Sequence, residues 1–215
     1  MDRFEIQNIN DSEVDEILEF KNLHFHNSDP LELAHPSKEH RSTGTVLIVQ
    51  EIRNGFVLKA VETSTSKIVG FLIGTPVDAT FTDETKKIAE AEKDQCRVDI
   101  ITFLALVSEK ANIFERFGIN QCMKLRSICV HKDFRGHKIA TRLLETAIIE
   151  TNKLNFEWIS ITCTSFYTAK IVVTLGMQQV SSISYQEYND KVGKQVFTPI
   201  EPHLEISTFV MKLKA

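Results

Sequence analysis

The sequence predicts a mixed α/β fold in a single domain, residues 1–215, and three observations carry that reading. Leu125–Val130 and Trp158–Cys163 are short, apolar, strand-like runs with a strongly amphipathic helix between them. A strand–helix–strand block favours a parallel pair, because parallel neighbours need a long crossover. Phe56–Val61 and Ile68–Val77 are two further strand-like runs joined by a turn at Ser64-Thr65-Ser66, the pattern of an antiparallel hairpin. Only five prolines occur, with no internal repeat and no Pro/Gly/Ser linker, so nothing divides the 215 residues. That length fits one domain, at about 150 residues each as a soft prior.

Hydrophobic residues make up 42% of the chain and charged residues 25%, ordinary values for a soluble globular protein. Lys and Arg number 25 against 29 Asp and Glu, for a formal net charge of −4. That balance argues against a general nucleic-acid binder and suits a small cationic substrate. No apolar run approaches the ~18 residues of a membrane span, and the polar, acidic N-terminus is no secretory signal. A cytoplasmic protein without a membrane partner is the expectation. Cys96, Cys122, Cys129 and Cys163 form no C-x-x-C or C-x-x-H pair, so they are expected as free thiols, with no metal site.

Asn10 opens the first helix, with Glu13 placed to complete a capping box and Val14, Ile17, Leu18 and Leu23 at helical spacing. The helix is expected to run to about Phe25, ahead of Pro30. His24 and His26 are two apart and do not share a helix face, so they make no joint metal site. Residues 37–54 read two ways, as a strand at Val46–Val49 or as a helix stopping at Asn54-Gly55, and the helix is preferred. Gly70 and Gly74 share a face of the second hairpin strand, where another group can pack closely. Residues 83–118 read as two helices, the first capped by Thr82 and the second ending at Gly118. Ile139, Ala140, Leu143, Leu144, Ala147 and Ile148 form the stripe of the crossover helix. Residues 165–175 make a helix ending at Gly176, and Val180–Tyr185 and His203–Leu213 close the chain as strands.

The junction between the strand Leu125–Val130 and the crossover helix carries the clearest chemistry. A helix N-terminus presents unpaired N–H groups and partial positive charge, which suits a pyrophosphate. Gly136 supplies a tight turn, and Arg135, His137 and Lys138 add charge around it. A plain exposed basic helix start is the competing reading. Neither G-x-x-x-x-G-K-[ST] nor G-x-G-x-x-G occurs, so this is neither a P-loop nor a dinucleotide fingerprint.

The string Val130-x-x-x-Phe134-Arg135-Gly136-x-x-Ile139-Ala140-x-x-Leu143-Leu144 resembles the acetyl-CoA motif of the GNAT acetyltransferase superfamily, a strand followed by R-G-x-G-x-[GA] and a helix. Lys138 stands where that pattern has its second glycine, and is expected in the first helical turn with its amide toward the phosphates. Further landmarks are similar to insect-type arylalkylamine (dopamine) N-acetyltransferases: Ser28-Asp29-Pro30-Leu31, Asn112-Ile113-Phe114, Cys163-Thr164-Ser165-Phe166-Tyr167-Thr168-Ala169, Leu175-Gly176 and Val196-Phe197-x-Pro199-x-x-Pro202-His203. They follow the family's order from about residue 12 to the C-terminus.

The resemblance implies a mixed, mostly antiparallel sheet of about seven strands, with a splayed central parallel pair and flanking helices. It implies acetyl-CoA as cosubstrate, with the pantetheine arm on Ile128, Cys129 and Val130 and the pyrophosphate on Arg135, Gly136, His137, Lys138, Ile139, Ala140 and Thr141. It implies direct transfer to a small primary amine of the dopamine, serotonin or tryptamine type. By the same resemblance Asp29 matches the family's glutamate base, one methylene shorter, and Thr164 and Thr168 match two site serines. The usual tyrosine acid falls at Val172, so Tyr167 is the substitute phenol. Each has a plainer reading: an Asp-Pro turn, a helix N-cap, a buried phenol. Cys163 is left structural, and His203 is a substrate-channel residue. Polyamine or agmatine acetylation is the first alternative, and a non-catalytic acyl-CoA-binding module the second. A monomer or weak dimer is expected.

Overall fold

The structure, a computed structural model, describes residues 2–37, 55–189 and 193–213. The helix expected within residues 37–54 falls almost entirely outside them. Seven strands form one sheet in the order β1-β2-β3-β4-β5-β7-β6. They are β1 Phe4–Asn8, β2 Phe56–Glu62, β3 Lys67–Asp78, β4 Gln121–Val130, β5 Trp158–Cys163, β6 Gln178–Ser184 and β7 Glu205–Lys212. All pairs are antiparallel except β4–β5. The predicted hairpin and the predicted parallel pair are therefore both present.

The first helix starts as the sequence reads. Ser12 N–H donates to Asn10 Oδ1 at 3.0 Å and Asn10 N–H donates to Glu13 Oε2 at 3.0 Å, closing the capping box. Helix α1, Val14–Phe20, continues through a wider π turn, Lys21–Phe25. Helix α2, Pro30–Ala34, then starts on Asp29. Residues 83–118 hold three helices, not two: α3 Phe81–Ala91, α4 Gln95–Ala111 and α5 Ile113–Phe117. Asn112, at φ 42°, breaks the run between the last two. Thr82 does not cap α3. Asp78 Oδ1 accepts from the Thr80 amide at 2.8 Å and hydroxyl at 2.6 Å, so the chain turns two residues earlier. Thr82 Oγ1 instead lies 3.0 Å from Ser108 Oγ, joining α3 to α4.

Helix α6, Ile139–Lys153, buries the predicted stripe: Ile139, Leu143, Leu144 and Ala147 are each 2% exposed or less. With α7, Phe166–Thr174, it covers one sheet face over Leu58, Leu72, Leu125, Ile159 and Phe209. On the other face Ile17 and Phe20 of α1 pack on Val57, Phe71 and Ile73, and Leu31 of α2 joins Phe103 and Val107 of α4 with Tyr185 and Phe197. Both faces are thus dry, which the near-continuous apolar runs of β3 and β4 require.

The central pair parts early. Its register is Met123↔Ile159, Lys124↔Ser160 and Leu125↔Ile161, and it ends there. Beyond it β4 stays with β3 as far as Gly70↔Val130, while β5 stays with β7 as far as Cys163↔Ser207. The two halves of the sheet are pulled apart by their outer partners. Strand β4 begins at Gln121, earlier than the apolar run at Leu125, because Gln121–Leu125 pairs with the end of β3. Strand β7 begins at Glu205, so His203 lies in the loop before it rather than on the strand.

Of the paired glycines on β3, Gly74 has the sharper reason. A Cβ there would fall 2.5 Å from the tip of the Phe56 ring, which lies across the backbone of its cross-strand partner. We expect Gly74→Ala to lower stability by about 1–3 kcal/mol through overpacking. In a double-mutant cycle Phe56→Leu should recover part of that loss, read by denaturant unfolding.

Candidate functional site

Where β4 and β5 part, a cleft of about 1050 Å³ opens through the sheet. Its walls come from the start of α2, from α3 and α4, from β4 and the end of β5, and from the starts of α6 and α7. Ile128, Cys129 and Val130 line it, and their β5-facing edge has no strand partner. That edge offers main-chain groups to an extended ligand, in the manner of strand addition.

The turn after β4 is built from a 3₁₀ turn, Lys132–Phe134, followed by Arg135-Gly136-His137-Lys138. Arg135 Nε donates back to the Val130 carbonyl at 3.3 Å. Gly136 has φ 83°, a conformation L residues avoid, and nothing lies within 4 Å of where its Cβ would be. Its requirement is conformational rather than steric. Lys138 is not in the first helical turn as expected. It is the N-cap of α6 at φ 59°, ψ 17°, in the left-handed region, and makes no side-chain cap. The motif's glycine position is thus a genuine positive-φ position, occupied here by a lysine. The first intrahelical bond is Arg142 N–H to Lys138 O at 3.0 Å, so the amides of Ile139, Ala140 and Thr141 precede the ladder and face the cleft end unclaimed by a side-chain cap. Arg135, Gly136, Lys138, Ile139, Ala140 and Thr141 all line the cleft. His137 does not: it is exposed, with its ring 5.5 Å from that of Phe4.

Asp29, at the start of α2, lines the same cleft. Its Oδ1 accepts from Leu31 N–H at 3.1 Å and Glu32 N–H at 3.2 Å, so the Asp-Pro pair read as a turn is the N-terminal cap of α2. Its Oδ2 accepts from Thr164 Oγ1 at 2.7 Å, a bond that spans the cleft from α2 to the end of β5. Burial, with the nearby Glu32 charge second, raises the Asp29 carboxyl to about 6 despite these hydrogen bonds. Glu32 itself is held by His26, Oε1 to Nδ1 at 2.6 Å. The Thr164 carbonyl accepts from the fully buried Tyr185 hydroxyl at 3.1 Å, fixing the Thr164 backbone.

Thr168 and Tyr167 line the cleft from α7, and Tyr167 is 60% exposed with its ring 5.6 Å from His203. The helix cap expected from Thr164 or Ser165 comes from neither: Phe166 N–H donates to His203 Nδ1 at 3.1 Å. Partial burial lowers the His203 pKa, keeping that nitrogen an acceptor. Burial pushes the Cys129 thiol up to about 11 and the Cys163 thiol up to about 12, so neither is a ready nucleophile. Among the described residues no cluster of His, Cys, Asp or Glu could hold a metal ion.

Sequence reasoning missed Tyr185, the His26–Glu32 pair, and Lys124 with Arg126. Lys124-x-Arg126 alternates within an apolar strand, and that alternation was the available signal, because residues two apart share a face.

A family model described as the acetyltransferase (GNAT) family matches residues 28–169, which include both walls of the cleft. The chain belongs to the GNAT acetyltransferase family, whose members use acetyl-CoA as cosubstrate. Among solved structures it is similar to an agmatine N-acetyltransferase variant in its apo form (24% identity, 99% of this chain and 100% of that one, TM-score 0.90). It is also similar to the Drosophila melanogaster polyamine N-acetyltransferase (23%, 98% and 100%, 0.88) and to arylalkylamine N-acetyltransferase 2 from Aedes aegypti (19%, 99% and 100%, 0.89). These likenesses establish the shared fold, including the mixed sheet with one parallel pair.

The two positive-φ positions predict opposite outcomes. Lys138→Gly removes a left-handed lysine and should raise stability by about 1 kcal/mol. Gly136→Ala imposes the same penalty, lowering stability by about 1–2 kcal/mol, and should weaken acetyl-CoA binding far more than Lys138→Gly does. Thermal melts and calorimetric titration of both variants check this.

Proposed function

We propose that this protein transfers the acetyl group of acetyl-CoA to the primary amine of a small arylalkylamine, directly, in a ternary complex. The observation that carries the reading is the buried Asp29 carboxyl, poised at about 6 and bonded across the cleft to Thr164, opposite the open edge of β4. An alkylammonium has a pKa near ~10 and must lose a proton before it can attack a thioester. A carboxylate with a raised pKa accepts that proton more readily than an ordinary one. Asp29 Oδ1 is taken up by two amides, while Oδ2 accepts one bond from Thr164 and keeps an acceptor position for the amine or a bridging water.

In this reading the β4 edge at Ile128–Val130 holds the pantetheine arm, and the turn Arg135–Thr141 holds the pyrophosphate on its amides and flanking cations. Acetyl-CoA supplies the activated acetyl group. Thr164 orients Asp29 and the incoming amine, Thr168 offers a second hydroxyl to the amine, and Tyr167 returns a proton to the departing thiolate. Phe25, Phe81, Ile100 and Leu104 line the acceptor half, which suits an aromatic body better than a flexible polycation. Of the carboxylates that would favour a polyamine, Glu32 is engaged on His26. Among the described residues no helix is long and apolar enough to cross a membrane. The proposal includes a single domain working in the cytoplasm as a monomer or weak dimer.

Asp29→Asn is the direct test. It should lower kcat by about 10²–10⁴-fold, the usual cost of losing a general base, and leave acetyl-CoA affinity nearly intact. Wild-type kcat/KM should rise with pH through about 6 as Asp29 ionises. Unchanged turnover in Asp29→Asn would remove Asp29 from the mechanism. The raised pKa also fixes a stability effect. The unfolded carboxyl ionises near 3.8 and the folded one near 6, so the penalty on the native state grows between those values and is constant above them. Asp29→Asn should therefore stabilise the fold by about 2–3 kcal/mol above pH 6, and by progressively less as pH falls toward 4. Chemical denaturation at several pH values checks it.

A further inference from the structure

Lys124 lies in β4 one position before the last parallel pair with β5, is 9% exposed, and lines the cleft. Its Nζ donates to Thr162 Oγ1 at 3.2 Å and sits 5.2 Å from the centre of the Phe81 ring. Arg126, two residues along the same strand face, places its guanidinium 4.9 Å from the same ring. Among the described residues the charged groups acting on Lys124 are Arg126, a like charge, and the thiols of Cys122 and Cys163, with no carboxylate among them. Burial and Arg126 lower its pKa to about 8, so at neutral pH it remains mostly an ammonium. Among the described residues, none of the three carboxylates that line the cleft, Asp29, Glu32 and Glu84, is paired with Lys124. A buried cation without a paired anion is unfavourable, and an anion brought by a ligand relieves it.

Position adds a second point to this charge. Lys124 is bonded to Thr162 and Asp29 to Thr164, two residues further along the same chain. Thr162 lies in β5 and Thr164 just past its end, and all four side chains line the one cleft, so the ammonium and the carboxylate stand at two separate points of the same pocket. We propose that Lys124 is an anion subsite at the inner end of the acceptor pocket. The preferred amine then carries a carboxylate, or an equivalent anionic oxygen group, at the end remote from its reacting nitrogen, and dications are excluded. The inference rests on the N-acetyltransferase reading above and deepens it.

The experiment compares three acceptors that differ at the remote end: 4-(2-aminoethyl)benzoate, phenethylamine and agmatine. Each is assayed with wild type, Lys124→Met and Lys124→Arg. In wild type the benzoate should exceed phenethylamine in kcat/KM by about tenfold, the worth of a charge-assisted hydrogen bond, with agmatine below both. Lys124→Met should bring the benzoate and phenethylamine within about twofold, and Lys124→Arg should keep the wild-type order. Agmatine matching phenethylamine in wild type, or a benzoate advantage that survives Lys124→Met, overturns the subsite. If no amine is acetylated, the N-acetyltransferase reading fails instead. Calorimetric titration of the same amines into CoA-loaded protein then decides the subsite: tightest binding of the benzoate supports it, and no discrimination overturns it.

Discussion

The parting of β4 from β5 after Leu125↔Ile161 is the constraint on which the rest of the site depends. Each strand keeps a full antiparallel partner on its outer side, so the separation costs only the few ladder bonds the two would have shared. The gain is an unpaired main-chain edge in the middle of a sheet, lining a cleft between the helices of the two faces. A sheet edge normally invites association with other chains, but here it faces inward and is reachable only through the cleft. The same divergence aims β4 at the turn before α6, so the strand edge and the helix N-terminus form one continuous surface.

Beyond the end of β5 the chain is fixed by side chains rather than by a strand partner. Asp29 reaches Thr164 from the start of α2, and Tyr185 holds the Thr164 carbonyl from behind. Tyr185 in turn packs with Phe103 of α4 and with Phe197. The acceptor wall is therefore braced by the second hydrophobic cluster, independent of the cluster that seats α6. His203 performs the matching task for α7, accepting the Phe166 amide from the loop before β7. Residues far apart in sequence thus meet where the main-chain ladder is interrupted.

That division explains what the sequence made legible. The parallel pair, the amphipathic stripe of α6 and the glycine turn are local patterns, and each is where its pattern puts it, while the Asp-Pro pair read as a turn proves to be the start of α2. Lys138 was misread because a positive φ leaves no trace in residue type when the residue is not glycine. Thr82 was misread because Asp78, upstream, claims the turn first. The cap from His203 and the brace from Tyr185 are contacts across the sheet, and no spacing rule reaches them. Lys124 was passed over because a single lysine in a strand is ordinarily a solvent-facing residue, and here both faces are covered.

One cause lies behind the perturbation of the cleft's buried carboxyl and its buried ammonium. Desolvation raises Asp29 to about 6 and lowers Lys124 to about 8, moving an acid and a base toward neutrality from opposite sides. Neither shift is relieved by a direct partnership, since Lys124 is held by Thr162 and Asp29 by Thr164. Had the two been adjacent, they would have formed an ion pair that pinned Asp29 ionised and low and left Lys124 with no capacity for a ligand. Holding them on different hydroxyls keeps each available, the carboxyl for a proton and the ammonium for a countercharge. Hydroxyls, with two amides on Asp29, rather than opposite charges satisfy both groups, and such dipoles stabilise a buried charge without cancelling it. The cleft is thus polar at two defined points on an otherwise apolar wall, and the distance between them becomes a measure of what the pocket admits.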